Sequence, residues 1–248
     1  MWRNPETGEK TEGGTGEFII FSLHVDDFYC ITDSDRLKKE LIDFLKLKYK
    51  NIKVHEGKTL TYLGVLVSTE RNGDVVLDLP AYKVKLSEML PHLKEKKSRV
   101  PYTAFMSPRS DDDDDAIDAN EYLRYVGAYN FLATRTRPNN LYTMSRLAQA
   151  CSKPTKLDMR RVEKAWKHLN ATSDQVLRFS SEGEMELIAH VDSSHNCYDD
   201  GKGHWGGTVS LGENNGVFTA KSSKIKIATQ SSTESEYVGM NYITREVV

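Results

Sequence analysis

The apolar residues of this chain change their spacing twice, and that change limits the fold more than any single residue does. From Phe18 to about Leu79 they fall in short runs of strand length, interrupted by helical stretches. From Asn120 to about Thr172 they recur every three or four residues, the spacing of one helix face. From Gln175 onward the short runs return, and a helical pattern follows them. Two strand-rich segments flanking a helical one predict an α+β fold.

The first segment opens on "FIIFSLHVDDFYCIT", residues 18–32, where two apolar runs meet at Asp26 and Asp27. The runs are rich in aromatic and β-branched residues, so they predict a hairpin with the acids at its tip. Aspartate suits tight turns, and turn chemistry alone accounts for such a pair. A rigid hairpin tip also offers two hard carboxylates, the ligands Mg²⁺ takes together with substrate phosphates. The hairpin by itself leaves both readings open. "DSDRLKKELIDFLKLKYK" then predicts a helix capped by Asp33, Ser34 or Asp35. "LTYLGVLVSTERNGDVVLDL" predicts strands turned at Asn72-Gly73, and Pro80 opens a short helix.

Net charge is −2 for the 248 residues, and the total conceals its distribution. Residues 33–100 carry fifteen Lys/Arg against ten Asp/Glu, and residues 119–170 carry ten against three. Between them lies "SPRSDDDDDAID", an acidic run of the kind that forms solvated linkers. Residues 176–248 reverse the sign, with six basic residues against ten acidic. A basic middle predicts an anionic partner, and an acidic final segment suits metal chemistry. In the middle, Tyr122, Tyr125 or Val126, Tyr129 and Leu132 share a helical face. Such aromatics can stack on bases, but at this spacing they more often form core.

The final segment places Asp192 at the end of the apolar run Leu187–Val191. Glu234 and Glu236 follow two further strands, in the first turns of the last helix. A capping box after Ser231 or Ser232 explains such glutamates without any function. The joint arrangement can also bring a strand-borne Asp and one helical Glu together over a sheet edge. Being two apart, the glutamates point to roughly opposite helix faces, so only one faces Asp192.

Composition excludes some classes. No apolar run approaches the roughly 18 residues of a membrane span, and the polar, Gly-rich start lacks the apolar core of a secretory signal. Cys30, Cys151 and Cys197 are odd in number and widely spaced, which predicts reduced thiols in an intracellular setting and no zinc site.

Several stretches, in order, resemble one family. "HVDDFYCI", "LTYLGVLV" and "LDLPAYKVKLSEML" resemble the end of the reverse transcriptase palm of copia-type long-terminal-repeat retrotransposons. "YLRYVGAYNFLATRTRPNNLYTMSRLAQ" is similar to that family's thumb and connection segment. "HVDSSH" through "AKSSKIKIATQSSTESEYVGM" is similar to its ribonuclease H start. The resemblance implies a partial palm with a helical thumb and connection, followed by an incomplete ribonuclease H-like mixed sheet with a helix. It divides the chain into a flexible lead-in (1–17), palm (18–105), acidic linker (106–118), thumb and connection (119–174) and ribonuclease H-like segment (175–248).

By the same resemblance, Asp26 and Asp27 hold the Mg²⁺ or Mn²⁺ of nucleotide transfer. Asp192 is the first ribonuclease H acid, and Glu236, with Glu234 as the alternative, is the second. His24, Arg135, Arg137 and Lys224 are implied contacts to nucleic acid, and Gly64 matches a glycine beside the polymerase site. The implied partners are an RNA–DNA hybrid or primer-template and the remaining portions of a polyprotein, in a cytoplasmic particle or the nucleus. His24 stands where the family has Tyr, and Ser194 stands where it has an acid. The family's first palm acid and third ribonuclease H acid have no counterpart in the sequence, so the expectation is a chain with weak or no activity alone. A non-catalytic nucleic-acid-binding remnant is the alternative, and an expressed relic without a selected role is a third reading.

Overall fold

The computed structural model describes residues 16–103, 115–183, 186–213 and 215–247. It separates into two compact units, Met1–Leu63 and Gly64–Val248. Most of the expected lead-in and of the acidic linker lies outside the described residues. The chain is mixed α+β, as its apolar spacing predicts.

The first unit contains β1 (Ile19–His24), β2 (Asp27–Thr32), α1 (Asp35–Lys48) and β3 (Thr59–Tyr62). β1 and β2 pair antiparallel from Ile19↔Thr32 to His24↔Asp27. The base of this hairpin is tied by Phe18 N donating to Asp33 Oδ1 at 2.8 Å and Thr32 Oγ1 donating to Phe18 O at 2.6 Å. Of the three candidate caps for α1, Ser34 serves, its hydroxyl accepting from Leu37 N at 3.2 Å. Tyr62 of β3 packs at a tilt against Tyr29, 5.3 Å between ring centres. No residue of α1 is buried, and Ile20, Phe21 and Leu23 are all more than half exposed.

The second unit begins with β4 (Val65–Thr69), β5 (Val75–Asp78) and α2 (Pro80–Met89). Gly73, at φ +93°, and the Asn72 side chain, accepting from Asp74 N, build the predicted turn between β4 and β5. Three helices follow: α3 (Ala119–Arg135), α4 (Leu141–Ala148) and α5 (Lys156–Ala171). Asp118 caps α3, and Thr155 with Asp158 forms a capping box on α5. The aromatic stripe of α3 is core: Tyr122 and Tyr129 are fully buried. Their hydroxyls are satisfied by Leu147 O and Asn140 Oδ1. Trp166 of α5 packs edge-on against Tyr125 and donates its indole N–H to Leu86 O of α2.

β6 (Leu177–Phe179) pairs with β5, away from the strands that follow it in sequence. Arg178 fixes this junction by bridging Glu70 at 2.5 Å and Asp74 at 3.2 Å. A separate antiparallel sheet is made of β7 (Leu187–Ser194), β8 (His204–Leu211) and β9 (Val217–Lys224), in that order. α6 (Ser232–Val247) covers one face of it. Trp205, Val209 and Ile243 form the small core between sheet and helix, with Val191 packed against them. The helix approaches closely because Gly239 has no side chain: a Cβ there would overlap the buried Ser193 hydroxyl.

Candidate active site

The two acid-bearing places are built differently. In the first unit, the central residues of the hairpin turn are Val25 and Asp26, and Asp27 already belongs to β2, opposite His24. The expected tip is therefore displaced by one residue. Val25 sits at φ +58°, a left-handed conformation that a β-branched side chain disfavours. Strain of this kind costs about 1–3 kcal/mol and persists only where the surroundings enforce it. Asp26 and Asp27 are both exposed, and neither carboxylate has an ion-pair or hydrogen-bond partner among the described residues. His24 is exposed beside them.

In the second unit, Asp192 lies near the end of β7, directly opposite Gly206 of β8. β7 is an edge strand, and the N–H of Ser193 is met by Glu236 of α6, whose Oε1 accepts it at 3.3 Å. Glu236 thus reaches the residue next to Asp192. Glu234 is engaged elsewhere: its N–H is capped by Ser231 Oγ at 3.1 Å, and its Oε2 accepts from Gln230 N at 2.6 Å. One glutamate caps the helix and the other faces the strand, which the sequence left open. Asp192 is exposed and has no ion pair among the described residues.

Exposed carboxylates without cationic partners suit the oxygen-ligand chemistry of Mg²⁺. Among the described residues, no three His, Cys, Asp or Glu side chains gather closely enough to hold a metal ion. The hairpin carries Asp26 and Asp27 in adjacent positions, and at the sheet Glu236 reaches the strand one residue from Asp192.

The expected nucleic-acid contacts are placed unequally. Arg135 is exposed, with its guanidinium 5.6 Å from the Phe131 ring. Arg137 is buried, and its guanidinium donates to Thr172 O, Thr172 Oγ1, Gln175 Oε1 and Asn139 Oδ1. Those bonds hold the end of α3 to the end of α5, so Arg137 as placed does not face a phosphate. Burial pushes its pKa down, but the group has ample margin to remain charged. Lys224 bonds Asp200 at 2.8 Å and lies over the Tyr198 ring at 4.6 Å.

Sequence reasoning missed the group beneath Lys224. His204 is buried on β8, its Nδ1 2.6 Å from Tyr198 Oη and its Nε2 2.7 Å from Ser222 Oγ. Burial, with Arg146 nearby, pushes its pKa down to about 4, so the imidazole is neutral at ordinary pH. The only signal in the sequence is the alternation that puts His204 and Ser222 on one sheet face.

A Ty5-1 transposon protein of Saccharomyces cerevisiae is 26% identical over 234 residues, which cover 92% of this chain and 74% of that protein. The chain is thus similar along most of its length to a transposon protein. The chain also matches secreted RxLR effector protein 161 of Plasmopara viticola, at 26% identity over 136 residues, 51% of this chain and 89% of that protein. No family model and no solved structure matches it.

Proposed function

We propose that this chain is a fragment of a copia-type retrotransposon RNA-directed DNA polymerase and ribonuclease H, acting on RNA–DNA by two-metal phosphoryl transfer. The observation that carries the reading is the bond from Ser193 N–H to Glu236 Oε1, which brings Glu236 of α6 to the β7 edge one residue from Asp192, in a chain related along most of its length to a transposon protein. In this reading Asp192 and Glu236 hold Mg²⁺ or Mn²⁺ at the β7 edge, and Asp26 and Asp27 hold it at the hairpin. Bound there, the cation stabilises charge developing on the attacking and leaving oxygens of the phosphate. α6 orients Glu236, the Ser193 N–H fixes one of its oxygens, and β7 holds Asp192 toward solvent.

Because each place supplies two acids, catalysis by this chain alone is expected to be weak. Single losses from other active sites cost orders of magnitude in rate. The test is cleavage of an RNA–DNA hybrid in Mg²⁺ or Mn²⁺. Weak cleavage that disappears in Asp192→Asn and Glu236→Gln but survives in Glu234→Gln supports the reading. Cleavage unchanged in Asp192→Asn defeats it. Binding of hybrid without cleavage, weakening steeply with salt, would favour the non-catalytic binding remnant implied by the basic middle segment.

A further inference from the structure

Gly206 and Gly207 stand side by side on β8 for opposite reasons. A Cβ on Gly207 would come within 2.8 Å of Ile243 Cδ1 and 3.2 Å of His190 O, so the packing of α6 demands glycine. A Cβ on Gly206 would meet nothing nearer than 3.8 Å, and its φ is not left-handed. Folding therefore does not require glycine at 206.

What the missing side chain leaves open is a groove of 320 Å³ on the sheet face opposite α6. That volume lies at the small end of the range for small-molecule sites, roughly 300–1,000 Å³. Gly206 is its floor, with Asp192 across the ladder on one side and Ser222 on the other. Two strand spacings put these residues about 10 Å apart. Tyr142 of α4 lines the wall, 42% exposed and edge-on to His204 at 4.9 Å.

The hydrogen bonds behind Ser222 have a direction. Gln149 Nε2 donates to Ser145 O at 3.2 Å, and this carbonyl identifies it as the nitrogen end of the amide. The same nitrogen donates to Tyr198 Oη at 3.0 Å. Tyr198 Oη, with that bond accepted, lies 2.6 Å from His204 Nδ1; in the arrangement where it donates there, a neutral imidazole carries its proton on Nε2 and donates to Ser222 Oγ. Ser222 Oγ lines the groove with the His204 ring behind it, and a hydroxyl that accepts from the ring has its own hydrogen left to give.

One side of the floor thus offers a donor and the other a carboxylate acceptor, with an aromatic wall between. The cation lining this groove, Lys221, is tied to Glu246 at 2.5 Å, and Asp192 repels anions. That combination favours a neutral ligand over a phosphate.

We propose that the groove binds a single ribonucleoside. Its base lies over Gly206 beside Tyr142 and accepts from Ser222, and its ribose hydroxyls donate to Asp192. The binding goes beyond phosphoryl transfer and needs no divalent cation.

The test is calorimetric titration of adenosine and 2′-deoxyadenosine into the full chain in EDTA. Saturable adenosine binding is expected, about tenfold weaker for the deoxynucleoside, which lacks one hydrogen bond. Ser222→Ala is expected to weaken adenosine by a similar factor, Asp192→Asn to abolish the ribose preference, and Gly206→Val to block the groove. Should Gly206→Val fail to fold, Gly206→Ala, whose Cβ meets no clash, is expected to fold and bind more weakly. No saturable binding to the wild type, undiminished binding by the folded Gly206 variants, or displacement by inorganic phosphate overturns the proposal. Because the titration excludes metal, its failure leaves the hybrid-cleavage reading untouched.

Discussion

The hairpin of the first unit and the β7–β9 sheet of the second each present acids to solvent, on very different supports. Asp26 and Asp27 stand on two strands whose apolar side chains are largely exposed, with a strained Val25 in the turn. Asp192 stands on three strands backed by a helix and a small closed core. A two-stranded hairpin is marginal alone, whereas three strands packed on a helix can hold a side chain in place. Acids of one kind can thus be chemically equivalent and unequally preorganised.

The comparison can be broken most forcefully through the sheet's buried histidine. The pKa of His204 is low in the fold, so the unfolded chain takes up its proton first as pH falls from about 6.5 to about 4. Stability should therefore decline across that window and level off below it, by about 3 kcal/mol in all. Urea melts of wild type and His204→Gln measured across the window check this, and a wild-type slope no steeper than the variant's contradicts it. Gly239→Ala comes next. Its Cβ must displace the Ser193 hydroxyl, with an expected loss of about 1–3 kcal/mol read by the same melts. An undiminished midpoint would mean that α6 does not brace Asp192 closely.

On the hairpin side the effects are smaller. Val25→Gly removes the left-handed strain but adds chain entropy, so the expected net gain is under about 1 kcal/mol. Amide exchange of β1 and β2 measures it, and faster exchange in the variant would show that Val25 is not strained. Smallest of all, Glu234→Gln should cost a few tenths of a kcal/mol through the helix cap alone. A larger loss would place Glu234 in more than a cap.

Local chemistry was largely legible in the sequence. Pro80 marks a helix start that the structure keeps, one of the three caps offered for α1 serves, and the tyrosine spacing on α3 reports a buried face. The one-residue shift of the hairpin turn was not legible, because no propensity places a valine at positive φ. Nor was the pairing of β6 with β5, which joins residues about a hundred apart through three ladder positions. At the candidate sites, spacing narrowed the acid to one of two glutamates, and only the Ser193 N–H chose between them. Arg137 shows the reverse error: a surplus of positive charge in the sequence includes cations that the fold spends on its own carbonyls.

The two neighbouring glycines of β8 make an internal control for selection. In a library of variants sorted only for folding, codon 207 should stay glycine while codon 206 drifts toward any residue that fits open space. In a library sorted for ligand capture, both should be held. Two adjacent codons would then report separately on what the architecture needs and what its occupant needs.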